Sequence, residues 1–209
     1  MLTSRFGMVV VTLIGLVVGA AAALAVFPQA RERLLPSPSV KVIGQALVGG
    51  PFTLTDHTGK RVTDQDFRGR YMLVFFGFTH CPDICPIALQ TISDALDQLD
   101  AKQAAKVTPI FITVDPARDT PEVLRAYVAN FHPRLVALTG SPEAIGKVAK
   151  SYRVFYAKAT GANAPSDPAA YILDHSAIVY LMGPNGEYVA HFGPGTTAQA
   201  MAADLRDRL

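Results

Sequence analysis

The segment Tyr71-Met-Leu-Val-Phe-Phe-Gly-Phe-Thr-His-Cys-Pro-Asp-Ile-Cys-Pro86 decides the fold class of this chain. Its first eight residues form one continuous apolar run, which is typical of a strand buried on both faces of a sheet. A helix is predicted after it, because apolar residues recur three and four positions apart along one stripe. These residues are Leu89, Ile92, Leu96 and Leu99. The cysteine-containing loop therefore joins a buried strand to a helix, where α/β proteins usually place their sites.

Strands and helices continue to alternate up to the C-terminus. The further predicted strands cover residues 110–114, 135–138, 177–182 and 188–192. Two helices begin near Thr120 and Ser141, where a capping side chain is followed by a proline suited to the first turn. A hairpin over residues 52–62 precedes the apolar run, and residues 157–170 are a predicted loop. This order predicts an α/β fold with a mixed sheet flanked by helices.

Length and hydropathy indicate one domain behind a membrane anchor. The chain has 209 residues and a net charge of +2, without the concentrated basic face of a nucleic-acid-binding protein. Thr12 is the only polar side chain in residues 6–27, a stretch long enough to cross a hydrocarbon layer of ~30 Å. We expect an uncleaved transmembrane helix within residues 1–27, a proline-containing linker over 28–44 and a domain over 45–209. A cleaved signal peptide is the alternative.

Cys81 and Cys85 are the only cysteines in the chain, and three residues separate them. Pro86 suits the first helical position and would place Cys85 at the helix N-cap, where free N–H groups favour a thiolate. Three interpretations stay open. A structural disulfide would gain little entropy from so short a loop. Thiol–disulfide exchange usually uses two intervening residues. A soft metal site fits two thiolates, which suit Cu(I), and an imidazole could complete the ligand set.

Three segments resemble the Sco/SenC family of copper chaperones for cytochrome c oxidase assembly. They are Thr79-His-Cys-Pro-Asp-Ile-Cys-Pro86, Thr113-Val-Asp-Pro-Ala-Arg-Asp-Thr-Pro-Glu122 and Asp174-His-Ser176. The resemblance covers roughly residues 40–209. It implies a thioredoxin-like fold, which agrees with the element order predicted from the residues.

The resemblance implies a copper site formed by Cys81, Cys85 and His175, with the cysteines also able to form a redox disulfide. Two neighbours are candidates for roles around it: Asp174 could orient the His175 ring, and His80 could be a ligand or a redox tuner. The remaining histidines have structural interpretations. They are His57 in an exposed turn, His132 at a helix end and His191 on a surface strand.

Asp115 and Asp119 match an acidic pair of the same family segment. An oxygen-ligand role is possible for them. The simpler prediction is that Asp119 caps the helix near Thr120 and that Asp115 ends a strand in a turn.

These features predict a metallochaperone, which is not an enzyme, that carries copper as Cu(I), with Cu(II) as a second possible state. The resemblance implies delivery to the dinuclear copper site of cytochrome c oxidase subunit II. The alternative is an extracytoplasmic thiol–disulfide oxidoreductase acting on cysteines of that subunit. A thioredoxin-like reductase is a further expected partner, and nucleic acid is not. We expect the chain to cross a bacterial inner membrane once, with its domain facing the periplasm.

Overall fold

The structure is a computed structural model that describes residues 47–159 and 171–209. These residues contain nine strands, one of which is the apolar run that begins at Tyr71. They are β1 (Thr53–Asp56), β2 (Arg61–Thr63), β3 (Tyr71–Gly77), β4 (Val107–Thr113), β5 (Val136–Thr139), β6 (Tyr156–Lys158), β7 (Leu173–His175), β8 (Val179–Met182) and β9 (Tyr188–Phe192). Seven of these strands build one sheet, and β6 and β7 pair separately as a two-stranded ribbon. The described residues all belong to the compact unit Gln45–Leu209.

The sheet is mixed, with the order β2-β1-β5-β4-β3-β8-β9. Strands β3, β4 and β5 are parallel, whereas β8 runs antiparallel to β3. Gly77 at the end of β3 pairs with Thr113 at the end of β4, and Phe75 pairs with Val179 at the start of β8. At this edge of the sheet, β3 and β4 therefore end and β8 begins. The loops that leave these strands meet there.

Helices flank the sheet as the sequence predicts. They are α1 (Ile84–Asp97), α2 (Ala101–Ala105), α3 (Pro121–Val128), α4 (Pro142–Ser151) and α5 (Ala198–Arg208), together with a 3-10 helix over Asp64–Phe67. The side chains of Thr120 and Ser141 each accept a hydrogen bond from a backbone N–H three residues on, which confirms the two predicted caps. Helix α1 packs against α5.

The predicted helical stripe of α1 faces the hydrophobic core. Leu89, Ile92 and Leu96 are almost completely buried, as are the side chains of β3 from Met72 onward. Each such side chain stabilises the fold by about 1.5–3 kcal/mol relative to exposure. This packing fixes β3 and α1 against each other, and the loop between them is held at both ends.

The ribbon of β6 and β7 corrects the predicted loop over residues 157–170. Residues 157 and 158 belong to β6, where Tyr156 pairs with His175 and Lys158 with Leu173. His175 therefore ends a short strand, whereas the sequence had placed it before a strand beginning at residue 177. The ribbon was missed because three-residue strands carry too few positions to show a period of two.

The predicted membrane anchor over residues 1–27 and the linker over 28–44 lie outside the described residues. Within residues 47–159 and 171–209, no helix combines the length and the hydropathy that crossing a bilayer requires.

Candidate metal centre

Two thiols and one imidazole meet at the edge of the sheet where β3 and β4 end. The Sγ atoms of Cys81 and Cys85 and a ring nitrogen of His175 all lie within 4.8 Å of one another. Cys85 Sγ lies 3.2 Å from His175 Nε2. Both cysteines follow β3, whereas His175 lies ninety residues after Cys85. The fold thus brings together the three residues that the sequence singles out as copper ligands.

The loop after β3 brings Cys81 to the beginning of α1. The backbone N–H of Cys85 donates a hydrogen bond to Cys81 Sγ at 3.4 Å. Helix α1 begins at Ile84, so Cys85 lies in its first turn and the prediction of Cys85 as N-cap is wrong. Pro86 is tolerated inside this turn because the first N–H groups of a helix have no intrahelical acceptor.

An aromatic pocket orients the imidazole of His175. Its ring meets Phe75 and Phe78 edge-on, with centroid separations of 6.0 and 5.8 Å. Its Nδ1 lies 3.2 Å from the backbone oxygen of Ser176. A carbonyl oxygen can only accept, so this contact assigns the proton to Nδ1. In the neutral ring, Nε2 then presents its lone pair to Cys85 and to any metal held by the sulfurs.

The two thiols differ strongly in acidity. A hydrogen bond from the Cys85 side chain outweighs the opposing effect of burial and lowers the pKa of Cys81 to about 4. The same Cys81–Cys85 hydrogen bond, together with burial, raises the pKa of Cys85. Cys85 is 0% exposed and Cys81 is 9% exposed. Of the two cysteines, Cys81 is therefore the thiolate, whereas the predicted N-cap position had indicated a thiolate at Cys85.

This asymmetry predicts that iodoacetamide modifies Cys81 selectively. The thiolate is the reactive form, and a lowered pKa keeps Cys81 ionised at every pH well above that pKa. The modification rate of Cys81 should be nearly constant between about pH 6 and about pH 9, and Cys85 should react only on unfolding. Timed alkylation followed by peptide mass spectrometry measures both rates. Equal rates at the two cysteines, or a Cys81 rate that climbs steeply through pH 8, would contradict the assignment.

Gly77 lets the backbone of β3 pass directly beneath the site. A Cβ atom at this position would lie 2.6 Å from Cys85 Sγ and 2.9 Å from Cε2 of Phe111. Both separations are far shorter than van der Waals contact, and neither neighbour is the free end of a long side chain. The absence of a side chain at Gly77 is therefore a condition for the observed position of the Cys85 sulfur.

We expect Gly77→Ala to displace the Cys85 sulfur and to weaken copper binding. Overpacking of this kind lowers the free energy of unfolding by about 1–3 kcal/mol. Denaturant unfolding and Cu(I) competition with a chelator measure the two effects. Gly193→Ala is the matched control, because its added methyl group meets no atom within 4 Å. If the two variants behaved alike, the crowding at Gly77 would have no functional consequence.

Asp174 and His80 lie beside the three residues without joining them. Asp174 is exposed, and the contact that orients the His175 ring comes from the Ser176 carbonyl. His80 is also exposed, and its Nδ1 lies 3.1 Å from the hydroxyl of Thr79. Their roles around the site stay predictions.

Asp115 begins a turn after β4 as predicted, because the N–H groups of Arg118 and Asp119 donate to its backbone oxygen, whereas Asp119 has a different role from the predicted one. Asp119 is fully buried and accepts hydrogen bonds from Thr79 and Thr113, while Thr120 alone caps α3. The prediction of Asp119 as a helix cap is therefore wrong. Asp115 forms an ion pair with Arg118. Arg118 was not singled out from the sequence, because its contact with Tyr171 joins residues far apart in the chain and no local pattern marks it.

The fold and the site define a thioredoxin-like α/β protein with a Cys-Cys-His cluster at the ends of its central strands. The chain belongs to the SCO1/SenC family, whose model matches residues 40–209. The predicted thioredoxin-like α/β fold of the domain and the predicted family are thereby confirmed.

Individual relatives support the family assignment. The human "Protein SCO1 homolog, mitochondrial" is 45% identical over 165 residues, which cover 78% of this chain and 53% of that protein. The copper-bound structure of ScoI from Bradyrhizobium japonicum is 46% identical with a TM-score of 0.69, covering 78% of this chain and 99% of that one. BsSco is described as a member of the Sco family of cytochrome c oxidase assembly proteins, with a disulfide switch. Its structure is 28% identical with a TM-score of 0.59, and the match covers 78% of this chain and 94% of that one. The chain spans about half the length of the first curated relatives that it matches. The match covers 53% of the human protein and 43% of the SCO1 homolog 1 of Arabidopsis thaliana.

Proposed function

We propose that this protein is a copper chaperone, which holds copper with Cys81, Cys85 and His175 and delivers it for the assembly of cytochrome c oxidase. Membership of the SCO1/SenC family, the copper in the structure of the ScoI relative and the role ascribed to BsSco support this function. A chaperone binds and transfers its cargo and catalyses no turnover of its own.

The observation that carries the proposal is the 3.2 Å separation of Cys85 Sγ and His175 Nε2, with Cys81 Sγ in the same cluster. Two thiolates and one imidazole form a ligand set that suits Cu(I), and the imidazole also suits Cu(II). Copper must displace the proton from the high-pKa Cys85 thiol, so loading releases a proton. The fold itself places the three groups in one cluster, so little further ordering of them is needed for binding.

The thiol–disulfide oxidoreductase alternative has less support. Exchange chemistry needs two cysteines and access for a substrate thiol, and it gives no reason for an imidazole within reach of the inner sulfur. Reduction of the pair still matters, because a Cys81–Cys85 disulfide offers no thiolate to copper. A thioredoxin-like reductase is the partner we assign to that step.

We assign the acceptor of the copper to subunit II of the oxidase, at its dinuclear copper site. Transfer between proteins proceeds by exchange of ligands, and the incoming ligand must approach a sulfur that solvent can reach. Cys81 is the more exposed of the two cysteines, at 9% against 0% for Cys85. The acceptor is therefore expected to contact the surface around Cys81 first.

The copper content of subunit II in cells tests this function. Cells that lack the chaperone should assemble subunit II without its dinuclear copper, and the wild-type chain should restore it. Cys81→Ser and His175→Ala should each fail to restore it at equal protein level. Full restoration by either variant would show that copper delivery does not use this site.

We place the protein in a bacterial inner membrane, anchored by residues 1–27, with its domain in the periplasm. The apolar stretch over residues 6–27 and the closely spaced cysteine pair support this location. A reporter fused after Leu209 should be active when it requires export and inactive when it requires the cytoplasm. The opposite pattern would overturn the topology.

A further inference from the structure

Resting on the proposed copper-carrying function, we propose that Asp119 and the ion pair of Asp115 with Arg118 are positioning groups of the copper site. Their side chains tie the two ligand-bearing segments, the cysteine loop and the β6–β7 ribbon, to one turn after β4. We call this turn the brace turn and define it as residues 114–120. In this way the brace turn sets the separation between the cysteine sulfurs and the His175 ring.

Asp119 holds the cysteine loop. Its carboxylate is fully buried and accepts two hydrogen bonds from Thr79, one from the hydroxyl at 2.6 Å and one from the backbone N–H at 3.1 Å. A third comes from the hydroxyl of Thr113, at 2.5 Å. Thr79 lies two residues before Cys81. The start of the cysteine loop is therefore bound to the end of β4 through one carboxylate.

Arg118 holds the ribbon that carries His175. Its Nη1 donates to the backbone oxygen of Tyr171 at 3.0 Å, and its guanidinium carbon lies 3.7 Å from the centroid of the Tyr171 ring. The Tyr171 hydroxyl donates to Asp115 at 2.6 Å, and Arg118 Nε also pairs with Asp115. Tyr171 lies four residues before His175, directly ahead of β7. Tyr171 is thus held through its backbone oxygen, its ring and its hydroxyl, and these contacts fix the chain where it enters β7.

The brace turn is itself fixed to the sheet. The N–H of Val114 donates to the backbone oxygen of Gly77 at 2.8 Å, and the N–H of Asp119 donates to the backbone oxygen of Asp115 at 3.0 Å. Arg118 and Asp119 are therefore adjacent in one hydrogen-bonded turn but contact different segments. Asp119 contacts the loop that carries the cysteines, and Arg118 contacts the residues before the His175 strand. Groups held in this way need little further ordering when a metal binds, which favours tight binding.

Two conservative substitutions separate the two arms of the brace turn. Thr79→Val removes the shorter bond to Asp119, and Tyr171→Phe removes the bond to Asp115 while keeping the ring beneath Arg118. Matched controls break bonds of the same kind elsewhere. Thr58→Val removes a Thr–Asp bond of the same 2.6 Å in the β1–β2 turn, and Tyr71→Phe removes a tyrosine hydroxyl bond at 3.0 Å to the C-terminal helix.

The experiment measures two quantities on the purified 209-residue chain, the Cu(I) affinity by chelator competition and the reduction potential of the Cys81–Cys85 pair. Thr79→Val and Tyr171→Phe should each lower the Cu(I) affinity about tenfold, as loss of a residue that supports a metal ligand does. Tyr171→Phe should leave the potential unchanged, because the disulfide does not involve His175. Thr79→Val should also shift the potential. The controls should change neither quantity, whatever they do to thermal stability.

The outcomes distinguish this inference from the function on which it rests. A wild-type chain that fails to retain Cu(I) overturns the copper-carrying function, and the positioning role falls with it. If the wild type retains Cu(I) and both test variants match their controls in affinity, the function stands and the positioning role is refuted. It is equally refuted if Tyr171→Phe changes affinity and potential together, because that pattern belongs to general loosening of the fold.

Discussion

His175→Ala is expected to lower the Cu(I) affinity of the reduced protein by more than about 100-fold, because loss of a direct ligand costs more than the 10–100-fold lost with a supporting residue. The reduction potential of Cys81 and Cys85 should change far less. The disulfide needs only the loop after β3 and the first turn of α1, whereas copper also needs the β7 strand. Chelator competition and redox titration measure the two quantities separately.

His191→Ala is the control for this prediction. His191 is also a strand histidine, but it is exposed on β9 and its ring contacts Tyr188. Its replacement should leave the Cu(I) affinity within about twofold of wild type, since it makes no contact with the site. An unchanged affinity in His175→Ala would remove the imidazole from the copper site and would restore the thiol–disulfide interpretation.

Oxidation of Cys81 and Cys85 to a disulfide is expected to abolish tight Cu(I) binding, because no thiolate remains to bind the metal. The two residues are four positions apart on one loop, and such spacing allows the Cα separation of about 4.4–6.8 Å that disulfides require. Copper retention after gel filtration, measured before oxidation, after it and after renewed reduction, tests this expectation.

The reversal step is the internal control of that experiment. Copper binding should return completely once a thiol reductant has opened the disulfide. Retention of Cu(I) by the fully oxidised protein at the affinity of the reduced one would place the copper outside the Cys-Cys-His cluster.

Much of the fold is predictable because local patterns encode it. The apolar run before Phe78 has no polar position, so only a strand covered on both faces accommodates it. Thr120 and Ser141 begin their helices as predicted because capping depends on neighbouring residues only. The cysteine pair is equally local, and its position after a central strand follows from the order of the elements.

Features that depend on tertiary contacts were not predictable in the same way. Asp119 has the sequence context of a helix cap, and only the folded chain shows that its carboxylate points to Thr79. The pKa values of the two cysteines are set by burial and by the hydrogen bond between them. These effects outweigh the stabilisation of a Cys85 thiolate that the predicted helix start had indicated. The placement of His175 beside Cys85 came from the family resemblance, since ninety residues of spacing carry no geometric information.

X-ray absorption at the copper edge of the reduced, Cu(I)-loaded chain counts the atoms bound to the metal and identifies them as sulfur or nitrogen. We expect the copper to have two sulfur neighbours and one nitrogen neighbour, and we expect the nitrogen to be lost in His175→Ala. A copper environment without two sulfurs, or one that keeps its nitrogen when His175 is replaced, would contradict binding by Cys81, Cys85 and His175.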